Sequence, residues 1–439
     1  MNILKLAWKN IVHRKLNSAL SVILMASGIS IITVLLLTNH QIQEKYEQNL
    51  AGIDLVIGAK GSPTDLILSS IYQVGNPTGN IKTKQTMIVK RNPFVEKTIP
   101  ISLGDSYKSY RIVGTNENYL SLYNYKLIEG KVFTEPMEVV IGFDVKLKSG
   151  LKIGDEFKGG HGVGEVLHEH DEFLYKVVGI LDKSNTVLDN LIITPTESAW
   201  VVHSGHEEAQ GSFELKSKEE KKAENHDDHA HEHHDHDHDH NHEHPKSIDE
   251  VLNSIPESDK EITSLLVIYK NNRAKFTLPG QINGQSTMMA VEPQIETQKL
   301  MNVMSSGIDG IKLMGYFILA ISAISVFISL YSSLKDRTYE IALIRVMGGS
   351  RSQVFLSVLI EGAFLAILGF LVGALLSHGG MQIVARMLEE TYHYEFSAWI
   401  FLQEEIYLAL GAITIGLISA ILPAFIAYKT DISNTLNNA

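Results

Sequence analysis

Ten histidines, His226, His229, His231, His233, His234, His236, His238, His240, His242 and His244, alternate largely with aspartate and glutamate in one stretch of this 439-residue chain. Imidazole and carboxylate together suit Zn²⁺, and also Ni²⁺ and Cu²⁺. So many ligands on one polar stretch would hold several ions weakly, whereas a transport or catalytic site needs a defined set oriented by its neighbours. The tract reads either as a Zn²⁺ capture loop or as a solvated acidic linker that takes up metal incidentally. A second group, His161 with His168-Glu-His170-Asp-Glu172, lies among Gly159, Gly160, Gly162 and Gly164. In an extended strand alternate residues face one way, so His168 and His170 could share an ion or equally face solvent in a hairpin. The glycines do not form the G-x-G-x-x-G fingerprint of a dinucleotide site.

Enzymatic signatures are missing. The sequence has no H-E-x-x-H, no G-x-S-x-G and no G-x-x-x-x-G-K-[ST] loop, so it lacks the usual means of holding ATP. The remaining chemistry-bearing residues surround a short charged segment, Arg337-Thr-Tyr-Glu-Ile-Ala-Leu-Ile-Arg-Val-Met-Gly-Gly-Ser-Arg351, between two long apolar runs. If helical, it presents Tyr339, Leu343 and Val346 with Ile341, Ile344 and Met347 as a broad apolar side, with Arg337, Glu340 and Arg345 polar. Gly348-Gly349 would stop that helix and Ser350 would cap the next. Glu361 falls inside the following apolar run. A carboxylate there is costly and is either functional or paired. A structural pair with a cation of the charged segment, such as Arg345 or Arg351, is the simpler reading; proton coupling is the other.

Four apolar runs must position these residues: roughly 19–37, 311–334, 354–376 and 406–428. Each reaches the length of about 20 residues that spans hydrocarbon, where only a helix satisfies its own backbone. Lys5, Lys9, Arg14 and Lys15 precede the first run, and Lys335, Arg337, Arg345 and Arg351 lie between the second and third. The bias of cations toward the cytoplasm therefore puts both termini inside. Leu4, Ala7, Trp8, Ile11 and Val12 recur at helical spacing among the leading cations, as in a helix lying on the inner leaflet. The expected order is a cytoplasmic amphipathic helix (1–15), a first span (16–38), an extracytoplasmic α/β domain (39–310), a second span (311–334) and a cytoplasmic loop (335–353). A third span (354–376), an outer loop (377–405), a fourth span (406–428) and a cytoplasmic tail (429–439) complete it. The fold class is thus an α-helical membrane protein with four transmembrane helices and a large α/β outer domain. Pro423 should kink the fourth span or end its regular part.

The net charge of −12 is local, because residues 207–250 carry 15 acidic and 5 basic side chains. The remainder is nearly neutral, which argues against a nucleic-acid partner. There is no cysteine, hence no disulfide and no thiolate metal site. In the outer domain, 54–58, 109–114, 138–142, 175–180, 190–194 and 264–269 are short β-branched runs expected to be strands. The His/Asp-rich stretch 205–246 lacks apolar periodicity and is expected as a disordered insert.

Arg337-x-x-Glu340-Ile341-Ala-x-x-Arg345-x-Met-Gly348 followed by Glu361 resembles the signature of the FtsX/MacB-type permeases, the type VII ABC transporters. Leu6-Ala-Trp-Lys-Asn-Ile11 with Arg14 resembles the family's opening motif, and Leu422-Pro-Ala-x-x-Ala427 with Asp431 and Leu436 its closing one. The layout of one span, a large outer domain and three spans is similar too, without a fused ATPase, as in LolC and LolE. The resemblance implies an outer domain of MacB periplasmic-core type and a coupling segment at Arg337, Glu340, Ile341, Arg345 and Gly348 that docks on a separate ABC ATPase. It further implies a dimer of two permease copies in the bacterial inner membrane, bathed in lipid, working on a periplasmic substrate, with a periplasmic or outer-membrane component left open. The histidine tract is outside the family pattern. Lipoprotein or peptide export and zinc handling stay open, as do an FtsX-like regulator of a cell-wall hydrolase and a membrane-anchored metal chaperone.

Overall fold

The computed structural model describes residues 3–161, 169–203, 247–392 and 396–429. The histidine tract, His168 and the tail with Asp431 and Leu436 lie outside the described residues, as do the side chains of His161 and His170. The chain forms two compact units, Lys45–Leu300 and the combination of Met1–Glu44 with Met301–Ala439.

In chain order, α1 (Ile3–His13) and α2 (Lys15–Leu50) come first. The unit Lys45–Leu300 then builds a four-stranded antiparallel sheet from β1 (Leu55–Ala59), β3 (Val95–Ile101), β12 (Ser264–Tyr269) and β13 (Met288–Val291), in the order β13-β1-β12-β3. Both faces of β1 are buried. Val56 pairs with Leu266 and Val291 toward one core, while Leu55 and Ile57 join Leu265 and Val267 in another. Burial on both faces replaces the polar–apolar alternation of a half-buried strand with a continuous apolar run.

A second sheet holds β4 (Asp105–Tyr107), β5 (Tyr110–Thr115), β6 (Leu127–Gly130), β7 (Glu138–Ile141), β8 (Glu156–His161), β9 (Glu169–Leu181) and β10 (Leu191–Pro195). Its β10 lies parallel to β5 and antiparallel to β7. Strand β8 pairs with β4 on one side and with the long β9 on the other, so the sheet closes on itself around Ile112, Val139, Tyr175 and Val177. Closure removes two edges that would otherwise need protection. A short ribbon joins β2 (Ile81–Lys82) to β11 (Glu261–Ile262). Helices α3 (Pro63–Ser70), α4 (Met87–Lys90), α5 (Glu117–Leu122), α6 (Phe143–Ser149), α7 (196–203), α8 (Ile248–Ser254) and α9 (Arg273–Gln285) connect and cover the sheets. All six runs expected as strands are strands.

The other unit packs α2 with α10 (Pro293–Asp336), α12 (Arg351–Tyr392) and α13 (Gln403–Lys429), joined by the short α11 (Thr338–Val346). These four long helices are apolar enough to cross a membrane. They outrun the apolar windows read from sequence. α2 continues to Leu50, where Ala51 and Gly52 turn left-handed, and residues 377–392, expected as loop, extend α12. Hydropathy reports contact with lipid, and a helix persists past the lipid until a stop signal ends it. Pro423 is accommodated within α13, which runs on to Lys429. One close contact, between α12 and α13, is glycine-mediated: a Cβ at Gly362 would lie 2.7 Å from the Gly416 carbonyl oxygen, and one at Gly416 2.6 Å from Ala366 Cβ. Small residues let two backbones approach where lipid supplies no hydrophobic drive for association.

Candidate functional site

The chemistry-bearing residues of the membrane unit meet where α10, α11, α12 and α1 converge. Helix α10 ends at Asp336, and Arg337 breaks the helical path with φ −113° and ψ 11°. Helix α11 then runs nine residues and stops in a Schellman motif. Gly348 adopts φ +97°, its N–H donates to the Arg345 carbonyl at 3.1 Å, and the Gly349 N–H donates to the Ile344 carbonyl at 2.9 Å. A side chain is strained at that φ, which explains the glycine. Ser350 begins α12 with a reciprocal cap: its hydroxyl accepts from Gln353 N–H at 3.2 Å, and Gln353 Oε1 accepts from Ser350 N–H at 3.0 Å. The stop and cap expected from Gly348-Gly349 and Ser350 are thus both in place.

Helix α11 has two different faces. Ile341 and Ala342 are buried, Ile341 packing with Leu334, Val354 and Val358. On the other face Tyr339, Leu343, Val346 and Met347 are exposed, Met347 by 73%. Arg345 sits in the last turn of the helix and is engaged by its surroundings.

Glu361 is only 4% exposed, nearly three turns into α12. The Arg337 guanidinium reaches its Oε1 at 3.5 Å and also Glu340 Oε2 at 3.2 Å. Asn10 Nδ2, on α1, donates to the same Oε1 of Glu361. Glu361 thus faces a cation of the charged segment, as the simpler sequence reading has it, but that cation is Arg337 rather than Arg345 or Arg351, the examples offered by the sequence. Arg351 instead lies over the Tyr428 ring at 5.9 Å. Arg337 is favoured because the helix break places its side chain against α12, whereas Arg345 is two turns farther along α11. A small pocket lined by Leu6, Leu330, Ser333, Arg337, Ile344 and Glu361 surrounds the pair.

Beside this cluster, Arg14 pairs with Asp336 and donates to Ser332 Oγ at 3.4 Å. Asn10 and Arg14 entered the sequence reading only through the opening motif and the leading cations, and their pairing with Glu361 and Asp336 was not expected, since Asn10 and Glu361 stand 351 positions apart. A third polar cluster occupies the far part of the same unit. His378 Nε2 lies 3.2 Å from Glu405 Oε2, and the Gln41 amide makes paired hydrogen bonds with the Ser397 backbone at 3.0 and 2.6 Å.

Among the described residues no group of three or more metal-binding side chains comes together. The Zn²⁺ expectation for His226 to His244 and for His168 with His170 falls outside the described residues and side chains.

Two family models match the sequence. The FtsX-like permease C-terminal model covers residues 312–432, which hold the elbow and Glu361, and the MacB-like periplasmic core domain model covers residues 18–225. No curated protein matches. Among solved structures, the periplasmic region of MacB from Actinobacillus actinomycetemcomitans is 12% identical with TM-score 0.33, over 59% of this chain and 98% of that one. The extracellular domain of the noncanonic ABC-type transporter YknZ from Gram-positive bacteria is 12% identical with TM-score 0.26, over 55% of this chain and 99% of that one.

Proposed function

This chain belongs to the FtsX/MacB-like permeases of ABC transporters, and from that premise we propose that it is the membrane subunit on which a separate ATPase docks through α11. The observation that carries the reading is the two-faced elbow. Its inner face is buried through Ile341 and anchored by Arg337 on Glu361, while Tyr339, Leu343, Val346 and Met347 are left exposed in a stripe. A short helix locked on one side and apolar on the other suits insertion into a groove of a partner, read at i, i+4 and i+7. Arg337, Glu340, Ile341, Arg345 and Gly348 form and hold that helix. The chain supplies position and force transfer, and the nucleotide chemistry belongs to the partner.

In this reading the permease sits in a bacterial inner membrane with both termini cytoplasmic, pairs with a second permease copy, and passes ATP-driven movement to the Lys45–Leu300 unit, which acts on an extracytoplasmic substrate. The histidines raise one substrate class above lipoproteins and peptides, a divalent metal such as Zn²⁺ collected by 205–246.

Affinity capture of the ATPase by the detergent-solubilised permease tests the docking. Leu343→Asp and Val346→Asp should each weaken capture about tenfold or more, since a buried charge at an interface centre is costly. Capture at the parental level by both variants would remove α11 as the docking element. For the metal, ATP hydrolysis by the reconstituted complex is titrated with Zn²⁺ with and without residues 205–246. Stimulation that disappears with the loop supports zinc handling, and a flat response in both eliminates it.

A further inference from the structure

We propose that the leader helix α1 is a working part of the coupling element, with Asn10 as a positioning residue that holds Glu361, and through it Arg337, in the geometry that transmits movement of α11. The proposal rests on the reading of α11 as the docking helix and assigns a role to a segment that would otherwise only rest on the membrane.

One atom joins three elements. Glu361 Oε1 accepts from Asn10 Nδ2 on α1 and faces Arg337 Nη1 at the head of α11, while Glu361 itself belongs to α12. At 4% exposure the carboxylate has little access to water as a replacement donor. Loss of a partner from such a group therefore carries its desolvation penalty. A second tether lies four residues on, where Arg14 pairs with Asp336, the last residue of α10, and reaches Ser332. Asn10 and Arg14 thus bracket Arg337, the single residue at which the chain leaves α10 and enters α11.

The leader is itself fastened to the third span. Ala7 and Ile11 are buried, and the Trp8 ring meets Phe364 of α12 edge-on with centroids 6.2 Å apart. Any movement of α11 that displaces Arg337 must then part it from Glu361 or pull on Glu361 and, through Asn10, on α1. The leader provides the reference against which the elbow turns, and its second face, with Leu4, Trp8 and Val12 exposed, is available to the inner leaflet. Position 10 needs a donor because the Glu361 oxygen that it meets, the one that also faces Arg337, is an acceptor.

The test exchanges the two chemistries. Asn10→Asp sets two carboxylates against each other, Asn10→Ala removes the donor without adding charge, and Asn10→Asp with Glu361→Gln restores one acid and one amide with their places swapped. The permease–ATPase complex of each is reconstituted in nanodiscs, and ATP hydrolysis and retention of the ATPase subunit are measured. Expected are a fall of about tenfold in kcat for Asn10→Asp, within the cost of disrupting a hydrogen bond to a buried charge, unchanged KM for ATP, parental subunit retention, and recovery to within about threefold in the double variant. If Asn10→Asp does not assemble, Asn10→Ala against the double variant decides by the same readouts. Parental kcat in Asn10→Ala and Asn10→Asp, or a loss that the swap does not recover, overturns the proposal. Failure of the docking reading is distinct, because it appears as parental capture by Leu343→Asp whatever Asn10 does.

Discussion

At the scale of single residues, the polar groups fall into two kinds that sequence separates poorly. Glu361 stands out in any reading because it interrupts an apolar run, yet its partners come from Asn10 and from an irregular residue, Arg337. No periodicity relates positions so far apart, and the choice among Arg337, Arg345 and Arg351 depends on where the helix breaks. Glu138 is the opposite case, a carboxylate that looks ordinary in sequence. Burial pushes its carboxyl up, but the Lys131 ammonium, the N–H groups of Thr134 and Glu135 and the Thr134 hydroxyl outweigh that and hold it at about 2, against an ordinary 4.5. Its Oε2 accepts from Thr134 N–H at 2.7 Å, and Lys131 donates to Oε1 at 2.8 Å, tying the loop between β6 and β7 to the head of β7. With the folded value depressed, this contribution to stability is present above about 4.5 and is lost as pH falls toward 2. Glu138→Gln should therefore lower the melting temperature of the detergent-solubilised chain at neutral pH. The gap between variant and parent should narrow steadily below pH 4.5, and a gap independent of pH would contradict this account.

At the scale of elements, stop and start signals decide how far each helix runs. Gly348 is left-handed at the end of α11, and an alanine there pays roughly 1–2 kcal/mol for the same backbone. Gly348→Ala should fray the last turn of α11, where Arg345 and Val346 sit, and so weaken ATPase capture while leaving the melting temperature of the Lys45–Leu300 unit unchanged. Hydrogen exchange across 338–348 checks it: faster exchange confined to this segment is expected, and unchanged exchange would show that packing alone fixes the helix end. This element was legible, because glycine pairs, a following serine and a helical apolar pattern are local signals. The extents of α2, α10 and α12 were not, because nothing in a hydropathy run says where a helix ends once it leaves lipid. The Gly379-Gly380 pair illustrates this: it lies inside α12 at a place where a stop is easily read from sequence. Closure of the second sheet through β8 was equally invisible, since a strand that pairs on both sides looks like any other short run. The His378–Glu405 pair was hidden in the same way, because no local pattern relates two positions 27 residues apart.

At the scale of the whole molecule, orientation in the membrane is the property on which every functional step depends. If α11 faces the cytoplasm, ATP-driven movement reaches it; if it faces outward, no ATPase can. Sequence argues for the first through cations at Lys5, Lys9, Arg14 and Lys15 and again at Lys335, Arg337, Arg345 and Arg351, a bias that acts on short loops near span ends. The chain offers an unusually clean way to check, because it contains no cysteine and any introduced thiol is unique. Ser352, at the start of α12, and Asn271, before α9, are both exposed and belong to neither the elbow cluster nor a core. With a membrane-impermeant maleimide, Asn271→Cys should label in spheroplasts without lysis, whereas Ser352→Cys should label only after the membrane is opened. If α2 and α10 both cross, position 271, which lies between them in the chain, is on the opposite side of the membrane from position 352. The reverse pattern would invert the topology and end the ATPase reading. Labelling of both sites in intact spheroplasts would mean that α10 does not cross, and the elbow would lose the inner-face position that its exposed stripe requires.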